Sequence, residues 1–189
     1  MTRRDDRQPR SEKELKVLVE RAKRSDPAAW EALYRDAYAP LLFYAARRLS
    51  SREAADDAVG EVFARAYEHI DRFTWRGGGI HAWLYGILRN VVLETHRASA
   101  RQIALGEHEE TDPNPGLADE VVAVEEKDQF SAAFEQLPED DRELLELRVV
   151  GGLDAKDAGA VLDRKPGAVR VAQSRALARL RTVMSEESK

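Results

Sequence analysis

A basic, acid-free stretch near the C-terminus carries the clearest chemical signal in this chain. Its six cations are Arg164, Lys165, Arg170, Arg175, Arg179 and Arg181, and no Asp or Glu lies among them. Because the whole chain has a formal net charge of −5, this local excess of positive charge is suited to binding phosphate. The apolar residues of the same stretch recur at helical spacing, at Val169, Ala172, Ala176, Leu177 and Leu180. The pattern predicts the second helix of a helix-turn-helix, with one side packed and the other facing DNA.

Length and composition limit the possible classes of protein. A chain of 189 residues holds one large domain or two small ones, and an acidic, proline-bearing stretch after residue 106 favours two small helical domains. The absence of Cys excludes a disulfide framework and a thiolate metal site. No apolar run approaches the roughly 20 residues needed to cross a bilayer, and the N-terminus lacks the apolar core of a signal peptide. We therefore expect a cytoplasmic protein without membrane insertion.

The first half shows helical periodicity in three segments. Asp26 and Pro27 predict the start of one helix, and Ser50 with Glu53 predicts a capping box for a second. The predicted buried face of the second helix is Val59, Val62, Phe63, Ala66, Tyr67 and Ile70. Three consecutive glycines at 77–79 require a loop, after which a third helix is predicted from Ile80.

The composition divides the chain into four parts. A partly helical extension (1–24) precedes a first domain (25–100), and the acidic residues and prolines of 101–124 predict a flexible linker. Helical periodicity returns in a second domain (125–189), where two helices meet at a tight turn at Asp163 and Arg164. The predicted fold is all-α, with two small helical domains joined by an acidic linker and a helix-turn-helix in the second.

Four segments in this order resemble the bacterial extracytoplasmic-function (ECF) sigma factors over residues 25–184. They are DDAVGEVFARAYEHIDRF, AWLYGILRNVVLETHR, LPEDDRELLELRVVGGL and the helix-turn-helix described above. The resemblance implies a specificity subunit of RNA polymerase that directs initiation at promoters. The first domain would bind the clamp helices of the largest subunit and open the −10 element. The second would bind the flap of the other large subunit and read the −35 element.

The resemblance also assigns roles to residues of the first domain. Core polymerase would bind the acidic face of the second helix, at Asp56, Asp57, Glu61 and Phe63, although such a charge cluster is also typical of a solvated helix face. The −10 DNA would contact Trp75, Arg76, Asn90, His96 and Arg97. Aromatic walls, polar atoms and cations are what capture of an unpaired base requires. Trp75 is also compatible with simply covering the bundle.

In the second domain the family motif places Arg170, Val171, Ser174 and Arg175 toward the bases of the −35 element. Arg148, Arg164 and Lys165 would contact the DNA backbone, and Arg179 and Arg181 would be solvated. Lys165 stands where the family usually has a Ser or Thr cap. Val171 and Ala172 also depart from the usual residues, which predicts a different sequence preference.

Other classes of protein are less consistent with the sequence. The four His, at positions 69, 81, 96 and 108, lack metal-ligand spacing, and no glycine-rich phosphate motif occurs, so we expect no enzyme activity, metal or cofactor. A helix-turn-helix regulator that binds promoters alone is the main alternative, and an acidic protein adaptor is a third.

Two further questions stay open at this point. The linker could enter the RNA exit channel or serve only as a tether, and an anti-sigma partner could restrain the protein.

Overall fold

The computed structural model describes residues 10–75, 79–104 and 126–187, so Arg76 and most of the predicted linker lie outside the described residues. Its helices are α1 (Glu12–Ala22), α2 (Pro27–Ala46), α3 (Arg52–His69), α4 (Ile80–Ala104), α5 (Glu126–Glu135), α6 (Glu139–Leu145), α7 (Ala155–Leu162) and α8 (Pro166–Glu187). A 3-10 turn (Ile70–Arg72) follows α3, and a π-helical turn (Glu146–Val150) follows α6. These described ranges contain no strand, which confirms the predicted all-α class.

Side-chain caps fix where several helices begin. The Asp26 carboxylate accepts a hydrogen bond from the backbone N–H of Ala28 at 3.0 Å, and Pro27 occupies the first turn of α2. Asp154 caps α7 in the same way, through the N–H groups of Lys156 and Asp157. The predicted cap of α3 was wrong by one residue. Ser51 rather than Ser50 is extended and accepts from the N–H of Ala54 at 3.1 Å.

The first bundle consists of α1 to α4. Helix α1 packs against α2 through Leu15, Leu18, Val19 and Ala22. The indole N–H of Trp30 donates to the carbonyl of Ala22 at 3.1 Å, so the predicted N-terminal extension contributes a helix to the first bundle. The buried stripe of α3 is narrow, at Ala55, Ala58, Val59, Val62 and Ala66. Tyr67 is one residue beyond this stripe, and its exposure of 56% contradicts the expectation that it is buried.

The second half surrounds α8. Phe134, Leu137 and Leu145 pack with Ala176 and Leu180 in a small core of their own. Helices α7 and α8 form the predicted helix-turn-helix, and Asp163 ends α7 in the left-handed conformation with a φ of 52°. Gly159 allows the turn to close, because a Cβ at this position would collide with the carbonyl oxygen of Arg164.

The two halves pack against each other, which the sequence did not predict. Helix α7 lies against α4, and Leu144, Leu147 and Leu153 join the core of the first bundle. Beside them, the buried Glu146 forms ion pairs with Arg47 and Arg48, which directly follow α2. We call this packing the closed arrangement.

Candidate nucleic-acid interface

One face of α8 presents the four residues that were expected to meet DNA bases. Arg170, Val171, Ser174 and Arg175 are all exposed. The opposite face is fixed by the buried Val169, Ala176 and Leu180. Within the described residues, neither Arg170 nor Arg175 has an acidic partner, so both guanidinium groups remain available to an external ligand. A rigid, cationic helix face of this kind fits a major groove.

The cations expected at the DNA backbone differ in their availability. Lys165 is exposed immediately before α8. Arg164 forms an ion pair with Asp140 at 2.5 Å and is half-buried. Arg148 has intramolecular partners, since its Nε donates to Gln173 Oε1 at 2.9 Å and its Nη1 donates to the carbonyl of Leu153. The phosphate contacts of Arg148 and Arg164 stay predictions, and each requires a rearrangement that Lys165 does not need.

Arg179, which was expected to be solvated, is exposed and also pairs with Asp141 of α6. This pair ties the middle of α8 to α6, away from the exposed face. The free positive charge is therefore concentrated toward the N-terminal part of α8, where a recognition helix contacts base edges.

The candidate −10 residues lie on α4 and in the loop before it. Asn90, His96 and Arg97 are exposed, and Asn90 and Arg97 are seven residues apart on the same side of the helix. Trp75 is half-buried, with its ring edge-on to Phe73 at 5.1 Å between centroids. The Lys16 ammonium lies 5.4 Å from the centroid of the Trp75 ring. Part of this ring covers the bundle, so only part of it is open to a ligand.

The acidic face of α3 carries fewer free charges than its sequence indicates. Asp56 accepts a hydrogen bond from the Tyr38 hydroxyl at 2.5 Å. Glu61 pairs with Arg65 at 2.6 Å. Arg65 also donates hydrogen bonds to Glu94, and these hydrogen bonds lower the pKa of the Glu94 carboxyl. Asp57 is exposed and has no partner within the described residues. A basic partner would meet Asp57 as a free charge and Glu61 as part of an exposed network.

Four aromatic residues form an exposed cleft beside this acidic face. The sequence placed two of them, Phe63 and Tyr67, on the buried face of α3, and Phe63 was also expected at the polymerase contact. The aromatic cleft consists of Trp30, Tyr34, Phe63 and Tyr67, and its volume is about 500 Å³. Trp30 and Tyr67 lie 5.3 Å apart between ring centroids, and Tyr34 and Phe63 lie 4.8 Å apart. Their signal in the sequence was a pair of i, i+4 aromatic positions on two consecutive helices. An exposed apolar cleft beside the unpaired Asp57 carboxylate is suited to binding a basic amphipathic helix.

A titratable pair faces the boundary between the two halves. Burial lowers the pKa of His81 against the opposing influence of Asp36 and Asp157. Burial also raises the pKa of Asp157, whose carboxylate accepts from the backbone N–H of Gly79 at 3.2 Å. The buried Nε2 of His81 has no hydrogen-bond partner among the described residues. Protonation of this imidazole is therefore unfavourable in the closed arrangement.

Two stretches of the chain match models of known protein regions. Residues 33–102 match Sigma-70 region 2, and residues 127–180 match Sigma-70 region 4. The ECF RNA polymerase sigma factor ShbA of Streptomyces griseus is 32% identical over 182 residues, which cover 90% of this chain and 95% of ShbA. The chain belongs to the ECF RNA polymerase sigma factor family. In this sigma factor, region 2 therefore falls on α2 to α4, and region 4 falls on α5 to α8.

A second relative agrees with this assignment, and a solved structure shares the fold. The ECF sigma factor SigD of Mycobacterium tuberculosis is 40% identical over 133 residues, which cover 68% of this chain and 62% of SigD. The sigma factor RpoE of Bartonella quintana, solved in complex with the anti-sigma factor NepR, has a TM-score of 0.57 and 24% identity. That match covers 92% of this chain and 95% of RpoE, and it shows the same fold. Among the described residues, no helix is long and apolar enough to cross a membrane, and no three acidic or His side chains could hold a metal ion.

Proposed function

We propose that this sigma factor binds core RNA polymerase and directs initiation at promoters that carry its own −10 and −35 elements. The observation that carries the proposal is the joint presence of regions 2 and 4 with an unpaired cationic face on α8. The protein acts as a DNA-reading subunit of the polymerase, in the cytoplasm, and performs no catalysis itself. A stand-alone regulator has no need of region 2, so this alternative is not favoured.

Readout of the −35 element is assigned to the exposed face of α8. Arg170 and Arg175 contact base edges, where one good contact provides about 1–3 kcal/mol of discrimination. Lys165 contacts phosphate, which adds affinity for every sequence and increases the salt dependence by about one counterion. Loss of a base contact should therefore change sequence preference, whereas loss of a phosphate contact should change affinity for all sequences.

The test compares Arg170→Ala with Lys165→Ala in the holoenzyme, with promoter variants at two salt concentrations. Arg170→Ala should relax the preference at one or two base pairs of the −35 element. Lys165→Ala should weaken binding to all variants alike and reduce the salt slope. Arg181→Ala is the matched control. This exposed cation lies eleven residues, or about 16 Å, beyond Arg170 along the helix axis. The assignment fails if Arg170→Ala weakens all variants evenly while Lys165→Ala changes base preference.

Binding to the polymerase is assigned to Asp57 and Glu61 together with the aromatic cleft. The exposed acids attract a basic clamp surface, and the cleft supplies apolar area for the same helical partner. Opening of the −10 element is assigned to Asn90, Arg97 and the exposed part of Trp75. The contacts of Asn90 and Trp75 exist only with unpaired bases, so they should affect promoter opening more than initial binding.

The polymerase contact is tested by the double charge reversal Asp57→Lys/Glu61→Lys. Its affinity for core polymerase should fall at least tenfold, with the largest loss at low salt. The control is Glu12→Lys/Glu20→Lys, the same charge change on exposed positions of α1. Equal affinities for the two double variants would contradict the assignment, provided that both retain the helical content of the unaltered protein.

A further inference from the structure

One arginine side chain connects α3 to the helix that carries the proposed −10 contacts. Arg65 of α3 donates from Nη1 and Nη2 to the two carboxylate oxygens of Glu94 on α4, at 3.0 and 2.6 Å. Its Nε donates to Oε1 of Glu61 at 2.6 Å. A two-pronged contact of this kind fixes the plane of the guanidinium group and engages both oxygens of the carboxylate. Because Glu61 belongs to the proposed polymerase contact, Arg65 lies between that contact and α4.

Glu94 lies among the proposed −10 contacts of α4. It follows Asn90 by four residues and precedes Arg97 by three, and these spacings put the three side chains on one side of the helix. All three residues are exposed. A free carboxylate between Asn90 and Arg97 would repel the phosphates of a DNA strand that contacts them. This face of α4 therefore requires a counter-charge for Glu94.

Arg97 is a second cation within reach of Glu94. An acid and a base three residues apart on a helix can form an ion pair. The charge of Arg97 lowers the pKa of Glu94, but the hydrogen bonds from Arg65 lower it more. Within the described residues, Glu94 pairs with Arg65 and not with Arg97. Without Arg65, the Glu94 carboxylate would be free to pair with Arg97 and to compete with DNA for its guanidinium group.

The pair of Arg65 and Glu94 lies at the surface of the bundle. Their side chains are 32% and 52% exposed, and ion pairs at such positions contribute little to folding. The packing of α3 already depends on buried apolar residues, which include Val59 and Val62. The main effect of the pair is therefore on the charge that α4 presents to a polyanion.

We propose that Arg65 is a positioning residue for the −10 strand. It neutralises Glu94 and thereby keeps Arg97 available for the DNA backbone. Arg65 acts through these two residues and needs no contact with DNA of its own. This inference rests on the function proposed above, which assigns Asn90 and Arg97 to the −10 element but gives Arg65 no role.

The test compares Arg65→Gln, Glu94→Gln and the double variant Arg65→Gln/Glu94→Gln in the holoenzyme at low salt. Core polymerase is saturating, because Arg65 also contacts Glu61 of the polymerase contact. The probe is a single-stranded oligonucleotide with the non-template −10 sequence of a promoter that the unaltered holoenzyme transcribes. Lys23→Gln is the matched control, since it also removes one cation from a surface ion pair, with Glu20 at 3.2 Å.

Arg65→Gln should bind the oligonucleotide at least about threefold more weakly than the unaltered protein, because Glu94 becomes a free negative charge beside Arg97. Glu94→Gln should bind at least as tightly as the unaltered protein, since the same contact is lost without a new negative charge. The double variant and Lys23→Gln should both bind within about twofold of the unaltered protein.

Opposite effects on DNA binding distinguish a positioning residue from an ordinary salt bridge. Arg65→Gln and Glu94→Gln lose the same contact, so their shifts in Tm should be alike. Weaker DNA binding by Glu94→Gln, or unchanged binding by Arg65→Gln, would overturn the inference and leave the proposed function intact. If core polymerase with the unaltered protein transcribes from no promoter, the proposed function fails and the inference fails with it.

Discussion

Two glycines in helices should respond in opposite directions to the same substitution by Ala. Gly159 lies in α7, where a Cβ would collide with the carbonyl oxygen of Arg164 and contact a Val169 methyl at 3.5 Å. Gly60 lies in α3, where a Cβ would have nothing within 4 Å. Each substitution gains about 0.5–1 kcal/mol because Ala restricts the unfolded chain more than Gly does. Only Gly159→Ala also has to move a backbone group, which costs about 1–3 kcal/mol.

Gly60→Ala should therefore raise the free energy of unfolding by about 0.5–1 kcal/mol. Gly159→Ala should lower it by up to about 2 kcal/mol, and the difference between the two variants isolates the packing cost. For a chain of this size, 1 kcal/mol corresponds to about 2–4 °C in Tm. Thermal unfolding followed by circular dichroism measures both shifts. Equal stabilisation of the two variants would refute the close contact between α7 and the turn that precedes α8.

Two other predictions concern charged groups inside the fold. Burial lowers the pKa of His81 from 6.5, although Asp36 and Asp157 face it. Because the unfolded chain binds this proton more readily than the folded protein, the free energy of unfolding should fall as the pH drops below about 6.5. Urea midpoints at pH 7.5 and 5.5 measure this fall, and His81→Gln should reduce it; an equal fall in the variant would assign the effect to other groups. Arg148→Ala should lower the free energy of unfolding by about 2 kcal/mol through its lost hydrogen bonds. Unchanged stability in this variant would contradict the structural role of Arg148.

The features that the sequence predicted depend on local patterns. The cap at Asp26 follows from a short polar side chain immediately before a helical repeat. The buried stripe and the exposed cationic face of α8 follow from helical periodicity in one segment. These patterns were sufficient for the all-α class and the helix-turn-helix, whereas the four side chains assigned to the bases came from the family motif.

The features that the sequence did not predict depend on contacts between distant segments. Glu146 and Arg48 are 98 residues apart, and neither is unusual in its local sequence. The aromatic cleft was missed because Tyr67 follows a buried Ala by one residue, and only the width of the packed stripe decides whether it is covered. Arg148 was assigned to the DNA backbone from the family motif, and the motif does not show its contacts with Gln173 and Leu153, which depend on the packing of α8 against the turn after α6.

The central claim is tested most directly by transcription of genomic DNA with core polymerase, with and without this protein, followed by sequencing of RNA 5′ ends. The account predicts a new set of start sites that appears only when the protein is added and that shares one pair of upstream elements. With Arg170→Ala, the base preference of the −35 element should relax while the −10 element of the shared pair is retained. Identical start sites with and without the protein would contradict the account.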